Sequence, residues 1–105
     1  MIRVLPAVLA CSALALSACG SGSGGASADD PRPPKELFAS TCGGCHTLSA
    51  AGTQGQTGPN LDELKPDKAT VLATIKAGPS IMPANLLQGA AADKVAQFVA
   101  DNAGK

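Results

Sequence analysis

The sequence contains no tryptophan and no tyrosine, and Phe38 and Phe98 are the only aromatic residues among 105. Proteins that bind single-stranded nucleic acid stack the bases on aromatic side chains along a basic groove. Here eight basic and eight acidic residues leave no net charge at pH 7, so no strong field favours a polyanion or steers a charged substrate. The composition therefore argues against nucleic-acid binding.

Large apolar side chains are also scarce. After the N-terminal segment, alanine makes up much of the apolar content of the chain. A domain of about 70 residues buries a small share of its surface and is marginally stable on its own core. Chains of this size commonly depend on disulfides, a metal or another added source of stability. We therefore expect a large apolar cofactor or a covalent cross-link.

The first 18 residues predict an export signal that ends beside a lipidation site. Arg3 precedes an apolar run of about 15 residues, which fits a signal peptide and is shorter than the roughly 20 residues of a membrane-spanning helix. Residues 16–20 read LSACG and resemble the lipobox of bacterial lipoproteins, which are cleaved before the cysteine and acylated on it. This resemblance implies that Cys19 is lipidated. The alternative is an ordinary cleaved signal that happens to end beside a cysteine.

A segment rich in glycine and serine, then in proline, separates the predicted anchor from the rest of the chain. Residues 19–34 comprise the lipidated cysteine and a flexible linker, because they contain no core-forming side chain. Residues 35–105 are then predicted to form one folded domain. We expect this domain in the cell envelope, on the outer side of the cytoplasmic membrane or in the periplasm, held by its lipid.

Helical periodicity dominates the predicted domain, and no alternating strand pattern is present. Helices are predicted at residues 35–43, 67–77 and 91–102, with a loop at 48–60. Asp67 is the expected N-cap of the second helix. The fold class is therefore all-α.

Residues 42–46 form the most specific motif of the chain. Cys42 and Cys45 precede His46 as C-x-x-C-H, the signature of covalent haem attachment. Side chains at i, i+3 and i+4 share one side of a helical turn, so both thiols can bond one porphyrin while the imidazole reaches its iron. A zinc site needs further ligands, a thioredoxin-like pair needs a βαβ context, and a structural disulfide leaves the histidine unexplained. We expect one covalent haem c.

With this motif in place, residues 35–101 resemble class I bacterial cytochromes c. Phe38 lies four residues before Cys42, where that family has an aromatic side chain against its C-terminal helix, and Phe98 is the expected partner. Generic core packing is the alternative reading of both phenylalanines, and it agrees with the first. The resemblance implies a small cytochrome c fold with three main helices around one covalent haem.

The sequence GPNL at residues 58–61 matches a turn of the same family. In that family the proline carbonyl accepts a hydrogen bond from Nδ1–H of the haem-ligating histidine. The resemblance therefore implies that Pro59 orients His46. The alternative is a Gly-Pro turn with no special role.

Met82 is the only methionine apart from Met1, which departs with the predicted signal. It lies in a proline-flanked loop after the second predicted helix, where class I cytochromes c carry the axial methionine. The resemblance implies that Met82 ligates the iron opposite His46. A gap-filling core methionine is the alternative, and Lys76 or Asn85 are weaker candidate ligands.

Apolar residues near these motifs are the expected walls of the haem site. The predicted surroundings are Pro59, Leu61, Leu72 and Ile75, with Leu48, Leu64 and Ile81 as further candidates. Because tryptophan and tyrosine are absent, Lys65, Lys68 or backbone groups are the candidates for contacts with the haem propionates.

Axial ligation by His46 and Met82 leaves no open position on the iron for oxygen or peroxide, and the soft thioether raises the reduction potential. The sequence therefore predicts an electron-transfer protein and not an enzyme. It would shuttle single electrons between respiratory or other redox partners at the membrane, without a small-molecule substrate. Two alternatives stay open: a haem enzyme or a gas- or peroxide-reactive sensor if Met82 does not ligate, and an electron-transfer subunit of a larger oxidoreductase complex.

Overall fold

The computed structural model of the chain describes residues 27–105. The predicted signal peptide, Cys19 and the first part of the predicted linker lie outside the described residues. The elements are, in chain order, helix α1 at Pro34–Thr41, strand β1 at Thr47–Leu48, a 3₁₀ turn at Ser49–Ala51, strand β2 at Thr53–Gln54, helix α2 at Leu61–Leu64, helix α3 at Lys68–Ala77 and helix α4 at Gly89–Asn102. The predicted all-α class is confirmed.

Helix α1 has Pro34 in its first turn, where the missing N–H costs no hydrogen bond. The helix ends at Thr41, two residues earlier than predicted. The N–H groups of Cys42 and Gly43 then both donate to the Phe38 carbonyl, at 2.7 and 2.9 Å. The C-x-x-C-H motif therefore begins in the turn that closes α1.

Helix α3 follows its sequence pattern closely. Asp67 caps it as predicted, because Thr70 N–H donates to its Oδ1 at 2.7 Å. Gly78 ends the helix in the left-handed conformation, with φ of 56°. The helix predicted at residues 67–77 is thus confirmed as Lys68–Ala77.

Two short elements of the fold have no counterpart in the prediction. The loop expected at residues 48–60 overlaps an antiparallel hairpin of two strands. The sequence does not reveal this hairpin, because strands of two residues are too short to show an alternation of apolar and polar side chains. The pairs of the hairpin are Thr47 with Gln54 and Leu48 with Thr53. Helix α2 is a single turn capped by Asn60, whose Oδ1 accepts a hydrogen bond from Asp62 N–H at 2.9 Å.

Helices α1 and α3 both pack against α4, the longest helix of the described chain. The large side chains that are at most 1% exposed are Leu37, Phe38, Leu48, Val95 and Val99. Phe38 thus lies in the core, and Phe98 packs partly buried against it. Within residues 27–105, no helix has the length and hydrophobicity needed to cross a membrane.

The segment before α1 packs on α4, although its composition predicts a flexible linker. The Ala28 carbonyl accepts a hydrogen bond from Ala91 N–H at 3.0 Å. Lys94 Nζ donates to the carbonyls of Asp30 and Arg32, both at 2.6 Å. The partners of Lys94 are 64 and 62 positions away in the sequence, so local composition does not reveal these contacts. The packed part of the chain begins before residue 35.

Candidate functional site

Helices α1, α3 and α4 and the loops that connect them enclose a cleft of about 370 Å³ with mostly apolar walls. The predicted site residues on its wall are Cys42, Cys45, His46, Pro59, Leu61, Ile75 and Met82. The structure therefore brings together the C-x-x-C-H motif, the GPNL turn and the methionine loop, which are separate in the sequence.

Cys42 and Cys45 are free thiols on the cleft wall, the first half-buried and the second exposed. Burial, together with the neighbouring Cys45, raises the pKa of the Cys42 thiol to about 12, so Cys42 is a neutral thiol at neutral pH. The N–H groups of Cys45 and His46 donate to the Cys42 carbonyl at 3.1 and 3.0 Å. This turn presents both sulfur atoms and the imidazole to one cleft.

His46 is oriented by the GPNL turn. Its Nδ1 lies 2.8 Å from the Pro59 carbonyl oxygen, and because a carbonyl only accepts, Nδ1 carries the proton. The lone pair of Nε2 is then left for a metal. Gly58 permits this contact, since a Cβ at that position would lie 2.5 Å from Cε1 of the imidazole. The hydrogen bond implied by the cytochrome c resemblance is therefore present.

Met82 is half-buried on the wall of the same cleft. Its N–H donates to the Pro79 carbonyl at 3.1 Å, and Asn85 N–H donates to the Ile75 carbonyl at 2.8 Å. The first hydrogen bond closes a turn within the loop, and the second holds the loop against α3. The weaker candidate ligands, Lys76 and Asn85, line a second and more open cavity instead. Met82 is therefore the candidate ligand that shares the cleft with the imidazole.

The apolar wall differs from the expected one at two leucines. Leu72 lines the second cavity and Leu48 is fully buried in the core, so neither contributes to the cleft. On α3 the cleft is lined by Val71 and Ile75. Successive helical residues are rotated by about 100°, which turns Leu72 away from the face that Val71 presents.

Helix α4 contributes wall residues that the sequence does not identify, Val95 and Val99. Their i, i+4 spacing indicates a buried helix face but does not show what covers it.

Two predicted wall residues of the cleft are largely exposed. Leu64 is 58% exposed and Ile81 is 76% exposed. Exposed apolar side chains that adjoin an apolar cleft are typical of a surface that a bound group covers.

Lys65 and Lys68, the candidates for propionate contacts, do not belong to the cleft wall. Lys68 Nζ forms an ion pair with Asp93 Oδ1 at 2.9 Å. Lys65 ends α2 in the left-handed conformation, with φ of 47°. Contacts of either lysine with the propionates stay a prediction.

These residues fit a covalently attached haem. Two free thiols, an imidazole whose Nδ1 binds the Pro59 carbonyl and a thioether share one apolar cleft. Histidine and methionine are established axial ligands of haem iron in cytochromes c. In the part of the chain that the structure describes, no group of three or more His, Cys, Asp or Glu side chains is placed to hold a metal ion.

Comparisons with known proteins agree with this site. Residues 29–99 match the family described as cytochrome c oxidase, cbb3-type, subunit III. The fold is similar to the crystal structure of the c-type cytochrome SorU from Sinorhizobium meliloti, with 42% sequence identity, a TM-score of 0.64 and coverage of 69% of this chain and 88% of that chain. No curated protein matches the chain. The chain therefore belongs to the class I c-type cytochromes, in the family of the cbb3-type subunit III domain, and is an electron-transfer protein with covalently bound haem c.

Proposed function

We propose that this cytochrome is a membrane-tethered electron carrier, without enzymatic activity of its own, whose haem iron is ligated by His46 and Met82. It shuttles single electrons between respiratory or other redox proteins. The observation that supports the ligation is that the imidazole and the thioether share the wall of one cleft with both thiols.

The chain fixes the state of each proposed ligand. The Pro59 carbonyl keeps the proton of His46 on Nδ1, which leaves Nε2 as the ligand atom and makes the imidazole a stronger electron donor. Met82 offers a thioether sulfur, which carries no proton. Each group therefore has one atom that could bind the iron, Nε2 of His46 and the sulfur of Met82.

Haem c supplies a reversible one-electron couple when it is bound. If His46 and Met82 both hold the iron, no coordination site would be left for oxygen or peroxide. A thioether ligand also favours the reduced iron and raises the reduction potential. These properties support a carrier over an enzyme.

The proposed anchor combines lipidation of Cys19 with the contacts that residues 28–32 make on α4. Because Ala91 and Lys94 bind this segment, only about eight residues are left between the lipidated cysteine and the first contact. A Gly-rich chain of about eight residues has a root-mean-square length on the order of 16 Å. The domain would therefore stay close to the outer surface of its membrane, within reach of membrane-bound redox proteins.

Redox partners are proposed to bind at the mouth of the cleft. Leu64 and Ile81, which other residues leave 58% and 76% exposed, line the cleft, and the part of their surface that the haem leaves uncovered would face a partner. The sequence has only eight basic residues in total, which argues against a dense lysine ring for docking on acidic proteins. A small and partly apolar interface suits the brief encounters of electron transfer.

The family match favours a second candidate, an electron-transfer subunit of a larger oxidase. The matching family is described as subunit III of a cbb3-type cytochrome c oxidase. A subunit would co-purify with its complex in a fixed ratio after extraction in mild detergent. A carrier would purify separately from its partners.

A redox titration tests the axial ligands. The Soret and α bands of the haem-loaded protein are followed against potential for the wild type, for Met82→Ala and for Lys76→Ala. Lys76→Ala is the control, because Lys76 lines the second cavity. We expect Met82→Ala to lower the midpoint potential and abolish the sulfur-to-iron charge-transfer band, and Lys76→Ala to leave both unchanged. An unchanged potential in Met82→Ala removes Met82 as a ligand, and a five-coordinate wild-type haem favours an enzyme or sensor.

Cell fractionation tests the anchor. After lysis without detergent, the wild-type protein is expected to sediment with the membranes, and Cys19→Ser is expected in the soluble fraction. Wild-type protein that stays soluble would refute lipid anchoring while leaving the haem site intact.

A further inference from the structure

One carboxylate outside the haem cleft ties together two segments that meet at His46. Asp62 lies in α2 and does not line the cleft. Its Oδ2 accepts hydrogen bonds from the N–H and the hydroxyl of Ser49, at 2.9 and 2.8 Å. Its Oδ1 accepts a third from Gly104 N–H at 2.9 Å. A single side chain thus joins three separate parts of the chain.

The hydrogen bond from Ser49 N–H is one of three regularly spaced hydrogen bonds between residues 45–49 and residues 58–62. Gly58 N–H donates to the Cys45 carbonyl at 2.7 Å. His46 Nδ1–H donates to the Pro59 carbonyl at 2.8 Å, and Ser49 N–H donates to Asp62 Oδ2 at 2.9 Å. The partners in the last two are each 13 positions apart, and the first pair has the same spacing. The two segments therefore run side by side in register, with Asp62 at one end.

We propose that Asp62 is a positioning residue for His46, because it holds the Pro59 carbonyl where that carbonyl fixes the imidazole. Asn60 links the two positions, since its Oδ1 accepts Asp62 N–H at 2.9 Å. When Asp62 no longer binds Ser49, the GPNL turn can move away from residues 45–49 and weaken the hydrogen bond on Nδ1. This inference rests on the proposed ligation of iron by His46.

The C-terminal residues add a second attachment to the same carboxylate. Gly104 has φ of 78°, and a Cβ there would lie 2.9 Å from the Asp62 carbonyl oxygen, so this close approach requires glycine. Hydrogen bonds from Gly104 and from Ser49 lower the pKa of Asp62. The side chain is therefore an ionised acceptor for all three donors at neutral pH.

The proposed role has consequences that a purely structural role lacks. A hydrogen bond accepted from Nδ1–H makes the imidazole a stronger donor to the metal, which favours ferric iron. A weaker bond to Pro59 is therefore expected to raise the reduction potential and to expose the Nδ1 proton to exchange with water. A carboxylate that only stabilised α2 would leave the exchange of the Nδ1 proton unchanged, whereas the loss of its negative charge would by itself raise the potential.

The test compares Asp62→Ala with Asp67→Ala in the haem-loaded protein. Asp67 also accepts a backbone N–H, from Thr70 at 2.7 Å, but it caps α3 and takes no part in the three hydrogen bonds around His46. Asp62→Ala is expected to speed exchange of the His46 Nδ1 proton at least tenfold by NMR and to raise the midpoint potential. Asp67→Ala is expected to leave both at wild-type values.

Ser49→Ala keeps the test decisive if Asp62→Ala yields little folded protein. It removes only the hydroxyl that donates to Asp62 at 2.8 Å, so both readouts should move in the same direction by a smaller amount. If the wild-type spectrum survives His46→Ala, the proposed ligation and this inference fail together. If ligation by His46 holds and neither Asp62→Ala nor Ser49→Ala moves either readout, the inference alone fails.

Discussion

The packed side and the cleft side of the domain are built from the same kinds of residue but differ in what covers them. On the packed side, Leu37 and Ala96 are 0% exposed, because other parts of the chain cover them. On the cleft side, Leu64 and Ile81 are 58% and 76% exposed. The polypeptide therefore leaves part of its apolar cleft side uncovered, and we expect the haem to cover it.

This division explains how so short a chain can fold with so few aromatic residues. A fully buried Leu or Ile side chain contributes about 1.5–3 kcal/mol, and the exposed side chains of the cleft side do not contribute this until they are covered. A small domain has little other surface to bury. The haem is thus part of the core as well as the redox centre.

The largest expected effect comes from removing the attachment of the haem. Replacing both Cys42 and Cys45 by alanine removes both bonding thiols, so haem no longer stays with the protein on a denaturing gel. We expect a loss of at least about 4 kcal/mol of stability, as when a tightly bound group is lost. Hydrogen exchange should quicken more in α3, which borders the cleft with four residues, than in α1, which borders it only with Phe38 and Thr41. Equal loss of protection in both helices would show that the haem does not stabilise the cleft side more than the packed side.

A matched pair of leucine substitutions measures the same difference at smaller scale. Leu37→Ala empties a fully buried site and should cost about 2–5 kcal/mol of the unfolding free energy. Other residues leave the Leu64 side chain 58% exposed, so their contacts with it are worth about 1 kcal/mol, and contact with the haem should add to the cost of Leu64→Ala in the haem-loaded protein. Urea denaturation of both variants supplies the two values. A cost of Leu64→Ala that stays at about 1 kcal/mol in the haem-loaded protein would mean that the haem does not cover this side chain.

The smallest expected effect is a loss of stability in acid. The side chain of Arg32 lowers the pKa of Asp30 to about 2, and a hydrogen bond from Thr70 N–H lowers that of Asp67. A carboxyl group with a lowered folded-state pKa stabilises the fold above its unfolded pKa of about 3.9, and this contribution disappears as the pH falls through the folded-state value.

The melting temperature should therefore decrease between about pH 4 and pH 2. Asp30, whose backbone carbonyl binds α4 through Lys94, belongs to the packed side, whereas Asp67 caps α3 on the cleft side. Asp30→Asn and Asp67→Asn should each make the melting temperature less dependent on pH in this range. A slope that neither variant changes would show that these carboxylates do not cause the acid sensitivity.

Features set by neighbouring residues could be predicted from the sequence. Asp67 and Gly78 act on backbone groups within one helical turn, so the ends of α3 predicted from these two residues agree with the observed ends to within one residue. The C-x-x-C-H motif likewise places its own side chains within one turn. The hydrogen bond between His46 and Pro59 spans 13 positions and was predictable only through resemblance to a family.

Features set by distant residues could not be predicted in the same way. The contact of Lys94 with Asp30 joins positions 64 apart, and the local composition there indicates only a linker. The face of α3 that lines the cleft depends on where α1 and α4 pack, so the pattern of Val71, Leu72 and Ile75 did not separate the cleft wall from its neighbour. The role proposed for Asp62 likewise depends on contacts with Ser49 and Gly104, which are 13 and 42 positions away in the sequence.

Proton NMR of the oxidised, haem-loaded protein tests most directly whether His46 and Met82 complete the cleft around the haem. Unpaired spin on ferric iron displaces the resonances of its ligands far from their usual positions and those of nearby groups less. We predict the largest displacements for the Met82 methyl and the His46 ring protons, smaller ones for the Ile81 methyls and none for those of Leu37. A Met82 methyl at its ordinary diamagnetic position would contradict this arrangement.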